Sequence, residues 1–157
     1  MTQLRHIILH KSLSTNLYTS SEPMNHDFYL LSLLVENDIK NYENLITFSK
    51  NSSITCWTTD QLFMNKNGKN IELFSVHDLA NNEELHLPKT AKFTISKTNF
   101  MQCVVNIKKL HEQAITRIYI VIDEQDYVHV THDLALIKKY DFFSSLLSSI
   151  KSFFIRK

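Results

Sequence analysis

The apolar residues in the first 50 positions change from strand spacing to helix spacing. Residues 4–10 form a short apolar run with alternating faces, which predicts a strand, and the Ser- and Thr-rich residues 11–25 predict a loop. From His26 onward, apolar side chains recur at intervals of three and four, which predicts a helix. Residues 37–38, Asn-Asp, interrupt this pattern and offer a new N-cap, so we expect a second helix from Ile39.

The middle of the chain carries a strand signal and a hairpin signal. Residues 54–58 are β-branched or aromatic, which predicts a strand. Two further apolar runs, 62–64 and 71–74, flank the pair Asn67-Gly68. An Asn-Gly pair between apolar runs indicates a hairpin, because a type I′ turn needs positive φ at both central residues.

The rest of the chain alternates between the two spacings. We predict a strand at 92–96, a helix from about Asn99 to Gln113, and a hairpin of two strands at 117–123 and 127–131. The tail from Leu134 has helical spacing.

These elements give the order β-α-α-β-β-β-α-β-β-α in one domain, residues 1–157, with a basic amphipathic helix at about 134–157. Antiparallel strands interrupted by helices favour an α+β fold. We expect a single mixed, mostly antiparallel sheet flanked by helices.

Composition narrows the classes of function. With Gly 1 in 157 residues, the chain lacks the glycines of a Walker loop, a dinucleotide-binding fingerprint, a kinase glycine loop or a G-x-S-x-G hydrolase. The net charge of +1 gives no reason to expect nucleic-acid binding. Two cysteines are too few for a disulfide framework, and no apolar run is long enough for a signal peptide or a membrane span, so we expect a cytoplasmic protein.

Three places could carry chemistry, and each has a simpler alternative. His26 lies where the Ser-rich loop meets the first helix, so it is a candidate general base or simply a polar residue at a helix start. His129 and His132 lie three apart beside a carboxylate, but they point to opposite faces of a strand and lack an obvious third ligand, so we expect no metal site. We interpret Cys56 and Trp57 as core residues.

The local distribution of charge suggests two possible interaction surfaces. Residues 85–111 contain five lysines and no carboxylate, which fits either a docking face for an acidic partner or an ordinary solvated face. The C-terminal helix fits either peripheral contact with an anionic membrane or packing on its own domain.

Several stretches resemble the RTX toxin-activating lysine acyltransferases, including the subgroup that matures siderophore microcins. The stretches lie at 20–34 (SSEPMNHDFYLLSLL), 54–62 (ITCWTTDQL), 92–100 (KFTISKTNF) and 117–128 (RIYIVIDEQDYV). The resemblance is one of order and spacing with few identical residues. It implies a fold related to the GNAT acetyltransferases and makes His26 the catalytic base in acyl or ester transfer to a toxin or microcin precursor.

The resemblance also implies co-substrates and shows departures. It implies no bound cofactor but an acyl-carrier protein or another activated acyl or siderophore donor, with a second maturation protein or a homodimer as further partners. The family's second catalytic residue, an Asp on the strand before a Phe-Gly loop, is missing, because residues 85–111 hold no carboxylate and Met101 follows Phe100. No glycine is left for the pyrophosphate loop of coenzyme A enzymes, so we expect a different donor.

Two non-catalytic alternatives remain open at this stage. From the first helix onward, the order of elements is also that of dimeric type III secretion chaperones, which bind proteins without modifying them. A small toxin-neutralising immunity protein would be equally poor in motifs. A covalent change to the partner, as opposed to a stoichiometric complex, separates these alternatives from acyl transfer.

Overall fold

The computed structural model describes residues 5–12, 17–20, 22–36, 39–80 and 92–133, with Ala135, Ile137, Lys138 and Ile150. These residues form eight strands and four helices. The strands are β1 (Arg5–Lys11), β2 (Tyr18–Thr19), β3 (Cys56–Thr58), β4 (Leu62–Asn67), β5 (Asn70–Ser75), β6 (Lys92–Ser96), β7 (Arg117–Ile122) and β8 (Val128–Thr131). The helices are α1 (His26–Val35), α2 (Ile39–Lys50), α3 (Val76–Ala80) and α4 (Lys97–Glu112).

The α+β class is confirmed, but the prediction of a single mixed sheet is wrong. The strands form two four-stranded sheets, one in the order β2-β1-β7-β8 and the other in the order β3-β4-β5-β6, and every pair is antiparallel. The sheets stay separate at β7 because β1 and β8 occupy both of its edges, which leaves no edge of β7 for β6. The paired strands β1 and β7 lie more than 100 residues apart in the sequence. The local pattern of apolar residues does not show which distant strands pair.

The hairpin prediction is confirmed, although the turn differs in type. Asn67 pairs with Asn70, so the central residues of the turn are Gly68 and Lys69, not Asn67 and Gly68. Of these two central residues, only Gly68 has positive φ, +59°. A glycine at the first central position with positive φ is the requirement of a type II′ turn.

One apolar core joins both sheets to three of the helices. On β1, Ile7 and Leu9 face this core, as do Ile118, Ile120 and Ile122 on β7. The opposite face of the same sheet holds a smaller cluster in which Ile137 packs on Tyr119 and Val121, with Ile8 partly buried beside them. Because β7 has apolar partners on both faces, all its residues after the first are buried.

The helix predicted at about 134–157 lies outside the described residues, apart from its few described positions. Within the described part of the chain, none of the helices combines the length and apolar character needed to cross a membrane. Two short elements, β2 and α3, lie in segments for which no regular structure was predicted.

Candidate functional site

His26 is the first residue of α1, as the change of spacing predicts. The side chain of Asn25 caps the helix by accepting a hydrogen bond from the backbone N–H of Phe28 at 3.0 Å. Asn25 itself has extended backbone angles, φ −71° and ψ 171°. This cap sets where the helix begins and therefore where the His26 ring stands.

A carboxylate from another element lies beside the His26 ring. The Nε2 atom of His26 is 3.6 Å from Oδ2 of Asp78, and the two side chains are 38% and 36% exposed. The gap is slightly longer than a hydrogen bond, and Asp78 Oδ2 is itself buried without a hydrogen-bond partner among the described residues. Histidine–carboxylate hydrogen bonds of catalytic sites are often long before substrate binds. The structure therefore brings one carboxylate close to the His26 ring.

The carboxylate next to His26 in sequence faces a different group. Asp27 lies 3.9 Å from the guanidinium of Arg5, which also binds Asp126 at 2.6 Å. The Tyr29 ring, one turn along α1, has its centroid 6.1 Å from that of His26. Asp78 is therefore the carboxylate that faces the imidazole, while Asp27 is balanced by an arginine.

Sequence reasoning missed Asp78 because it sought the second acidic residue between positions 85 and 111. Asp78 lies on α3, a helix of five residues that directly follows β5. The pattern Ser75-x-x-Asp78 is of the capping-box type that marks a helix start, and it is the one local signal that could have pointed to this helix.

A second histidine–carboxylate pair lies in the β7–β8 hairpin. The Nε2 atom of His129 is 2.9 Å from Oδ2 of Asp123, and Oδ1 accepts hydrogen bonds from the backbone N–H groups of Gln125 and Tyr127, both at 2.9 Å. Burial raises the pKa of Asp123, but the hydrogen bonds from His129 and from these N–H groups outweigh it and hold the pKa below its usual value. Asp123 therefore organises the turn and orients the His129 ring.

His129 and His132 both line a cavity of about 280 Å³ between β8 and α4. Because β8 ends at Thr131, the alternation of faces on the strand does not extend to His132. The wall formed by α4 contributes Gln102, Asn106, Lys109 and Gln113. Across the described residues, no three His, Cys, Asp or Glu side chains come together in a way that could hold a metal ion.

The interpretation of Cys56 as a core residue is wrong, and that of Trp57 is right only in part. Cys56 is exposed and Trp57 is half-buried against the core. The reason is that β3 lies at the edge of its sheet and, among the described strands, pairs only with β4. Cys103 is the buried thiol, and burial raises its pKa to about 12.

The lysine-rich segment is partly neutralised by carboxylates from other elements. Lys92 binds Glu72 of β5 at 2.6 Å, and Lys108 binds Glu43 of α2. Lys97 and Lys109 have no carboxylate partner among the described residues. The segment therefore does not form one uniform basic face, and Lys89 lies outside the described residues.

Comparisons with protein families, curated proteins and solved structures find nothing that matches this chain.

Proposed function

We propose that this protein transfers an acyl or ester-forming group to a polypeptide, a toxin or microcin precursor, with His26 as the general base. The observation that carries the proposal is the approach of Asp78 to the His26 ring at 3.6 Å. A histidine base needs a partner that orients the ring and stabilises the imidazolium formed during the reaction. Asp78 supplies it from α3, in place of the missing family Asp.

The proposed reaction needs one general base, His26. An amine or hydroxyl of the acceptor attacks the carbonyl carbon of a thioester on the donor, while His26 removes its proton. The new C–N or C–O bond forms as the C–S bond breaks, and His26 passes the acceptor's proton to the leaving thiolate. Asp78 is the positioning residue in this scheme, because it acts through His26.

The order of the elements supports a GNAT-like fold for this chemistry. The long elements follow one another as a first strand, two helices, a meander of antiparallel strands, the long helix α4 and a final hairpin, with the short elements β2 and α3 between them. The separation into two sheets is the difference from the expected arrangement.

The junction between β6 and α4 supports a donor other than free coenzyme A. Strand β6 ends at Ser96 and α4 begins at Lys97, so no loop separates them. The Ser96 hydroxyl caps the helix by accepting a hydrogen bond from the N–H of Asn99 at 3.1 Å. An N–H group that a pyrophosphate would need is already bonded, which favours an acyl-carrier protein or another activated donor.

A non-catalytic binding protein is the second candidate, in the form of a secretion chaperone or an immunity protein. The observation that favours it is that His26 lines neither of the two cavities described in this structure. A binding protein needs only a complementary surface, so it would show a stoichiometric complex without a change in the mass of its partner.

The test is an intact-mass assay of precursor polypeptides incubated with the purified protein and acyl-loaded carrier protein. We expect the mass of one acyl group on the precursor, a loss of about 100-fold or more in rate for His26→Ala, and a smaller loss for Asp78→Asn. His10→Ala, a histidine of β1, is the control and should react at the wild-type rate. Undiminished modification by His26→Ala rules out the catalytic role, and a tight complex with no added mass favours the binding alternative.

A further inference from the structure

A second cavity, of about 450 Å³, lies at the end of α1 opposite to His26. Its walls come from the last turn of α1, the first turn of α2, Leu17 just before β2, and β3 with the turn that follows it. At 1.5 Å per residue, the ten residues of α1 hold this cavity about 15 Å from the His26 ring. It is therefore a separate site.

Among the described residues that line the cavity, two are carboxylates, Glu36 and Asp60, and none is Lys, Arg or His. Glu36 is half-buried at the C-cap of α1, where the negative end of the helix dipole adds to its own charge, and burial raises the pKa of this carboxyl.

The remaining walls are apolar and aromatic. Leu17 is 47% exposed, one of the two large apolar side chains that are exposed among the described residues. The Trp57 indole and Leu33 continue this surface toward Glu36. An exposed leucine and an indole beside two carboxylates suit a ligand with an apolar stem and a positive head.

We propose that this cavity binds the lysine or arginine side chain of a partner polypeptide. The methylene stem would lie against Leu17 and Trp57, and the cationic head would pair with Glu36 and Asp60. This pairing places a cation beside both carboxylates, and the same carboxylates repel an acidic ligand. The inference goes beyond acyl transfer, because it holds whether or not His26 is catalytic.

Trp57 is the single tryptophan of the protein, so its fluorescence can report binding in this cavity. We would titrate the full chain with acetylated and amidated tripeptides whose central residue is Lys, Arg, acetyl-lysine, norleucine or Glu, and follow Trp57 fluorescence and equilibrium dialysis. We expect saturable binding of the Lys and Arg peptides. The acetyl-lysine, norleucine and Glu peptides should bind about tenfold more weakly or not at all, since they lack the charge-assisted hydrogen bond.

Matched variants locate the site. Glu36→Gln should weaken Lys-peptide binding about tenfold, whereas Glu22→Gln, which removes an exposed carboxylate before α1, should leave it unchanged. Circular dichroism confirms that each variant is folded. Equal binding of the norleucine and Lys peptides, an equal effect of both variants, or no binding of the Lys and Arg peptides by dialysis would overturn the proposal. None of these outcomes depends on the modification assay, so the two proposals fail independently.

Discussion

The side chain of Asn99 pairs with both backbone groups of Val128. Its Nδ2 atom donates to the Val128 carbonyl at 2.8 Å, and its Oδ1 atom accepts from the Val128 N–H at 2.8 Å. Asn99 lies in the first turn of α4 and is 2% exposed. On its other edge, β8 pairs with β7, so Asn99 takes the place of a neighbouring strand at this point. The Asn99 amide thus joins the first turn of α4 to the edge of the sheet at β8.

Replacing Asn99 with Ala should destabilise the protein by about 2–5 kcal/mol. Both hydrogen bonds are lost. The buried Val128 N–H is left unpaired, at about 1–3 kcal/mol, and the Val128 carbonyl keeps only the weak thiol donor of Cys103. Urea unfolding followed by circular dichroism measures the change. Gln102→Ala, an exposed position on the same helix, should change stability by less than about 0.5 kcal/mol. Equal stabilities of the two variants would show that the Asn99 contacts contribute little.

The contact between Asn99 and Val128 is of a kind that the sequence pattern does not predict. Spacing placed the long elements well: α1 begins at His26, and β6 spans 92–96 as predicted. Local spacing reports which residues share a face, but not which element that face meets. The contact between Asn99 and Val128, 29 residues apart, and the division into two sheets both depend on which elements meet.

In the candidate site, too, the local signal was found and the contact with a distant element was not. His26 was found from its position at a change of spacing, which is a local signal. Asp78 is 52 positions further along, on a helix of five residues that is shorter than the window in which periodicity can be detected. Strand β2, with two residues, was missed for the same reason.

Replacing Gly68 should lower the stability of the protein because of the backbone conformation at this position. Its φ is +59°, and a Cβ added there would meet no heavy atom within 4 Å. Gly68→Ala should therefore lose about 1–2 kcal/mol from left-handed strain alone, without a steric clash. Gly68→Asn should lose less, because Asn tolerates this conformation better. Thermal unfolding of the two variants checks the order, and an Ala variant as stable as the wild type would contradict it.

The pair formed by Glu72 and Lys92 should make stability depend on pH. Glu72 is 8% exposed, and the hydrogen bond from Lys92, with help from Asn67 and Asn65, outweighs burial and holds the pKa of Glu72 below its usual value. A carboxyl with a lowered pKa in the folded state stabilises that state above its unfolded pKa. The contribution is lost as pH falls through the lowered value.

Lys92→Met tests this linkage. At pH 7 the variant should be less stable by about 1–3 kcal/mol, because Glu72 stays charged and buried without its cation. The difference from the wild type should shrink as the pH is lowered into the range where carboxyls are protonated. Urea unfolding across pH 3–7 measures it, with the exposed Lys138→Met as the control. A difference that is constant with pH would mean that Lys92 acts through packing and not through charge.

The two cysteines should differ sharply in reactivity toward a thiol reagent. Cys56 is exposed, whereas Cys103 is 1% exposed, donates its thiol to the Val128 carbonyl at 3.5 Å, and has its pKa raised to about 12 by burial. Because the thiolate is the reactive form, iodoacetamide should add once to the native chain and twice to the unfolded chain, as counted by intact mass. Cys56→Ser should leave the native protein unlabelled.

The same labelling experiment connects Cys103 to Asn99. The Asn99 amide lies 3.7 Å from the Cys103 sulfur, and both side chains bind the Val128 carbonyl. Labelling of Cys103 needs the start of α4 to leave β8, so its rate follows the population of the open state. In Asn99→Ala, Cys103 should therefore label faster by about the factor by which unfolding becomes more favourable, while Cys56 labels at its wild-type rate. Unchanged labelling of Cys103 in a destabilised Asn99→Ala variant would show that the amide does not hold this part of α4 on β8.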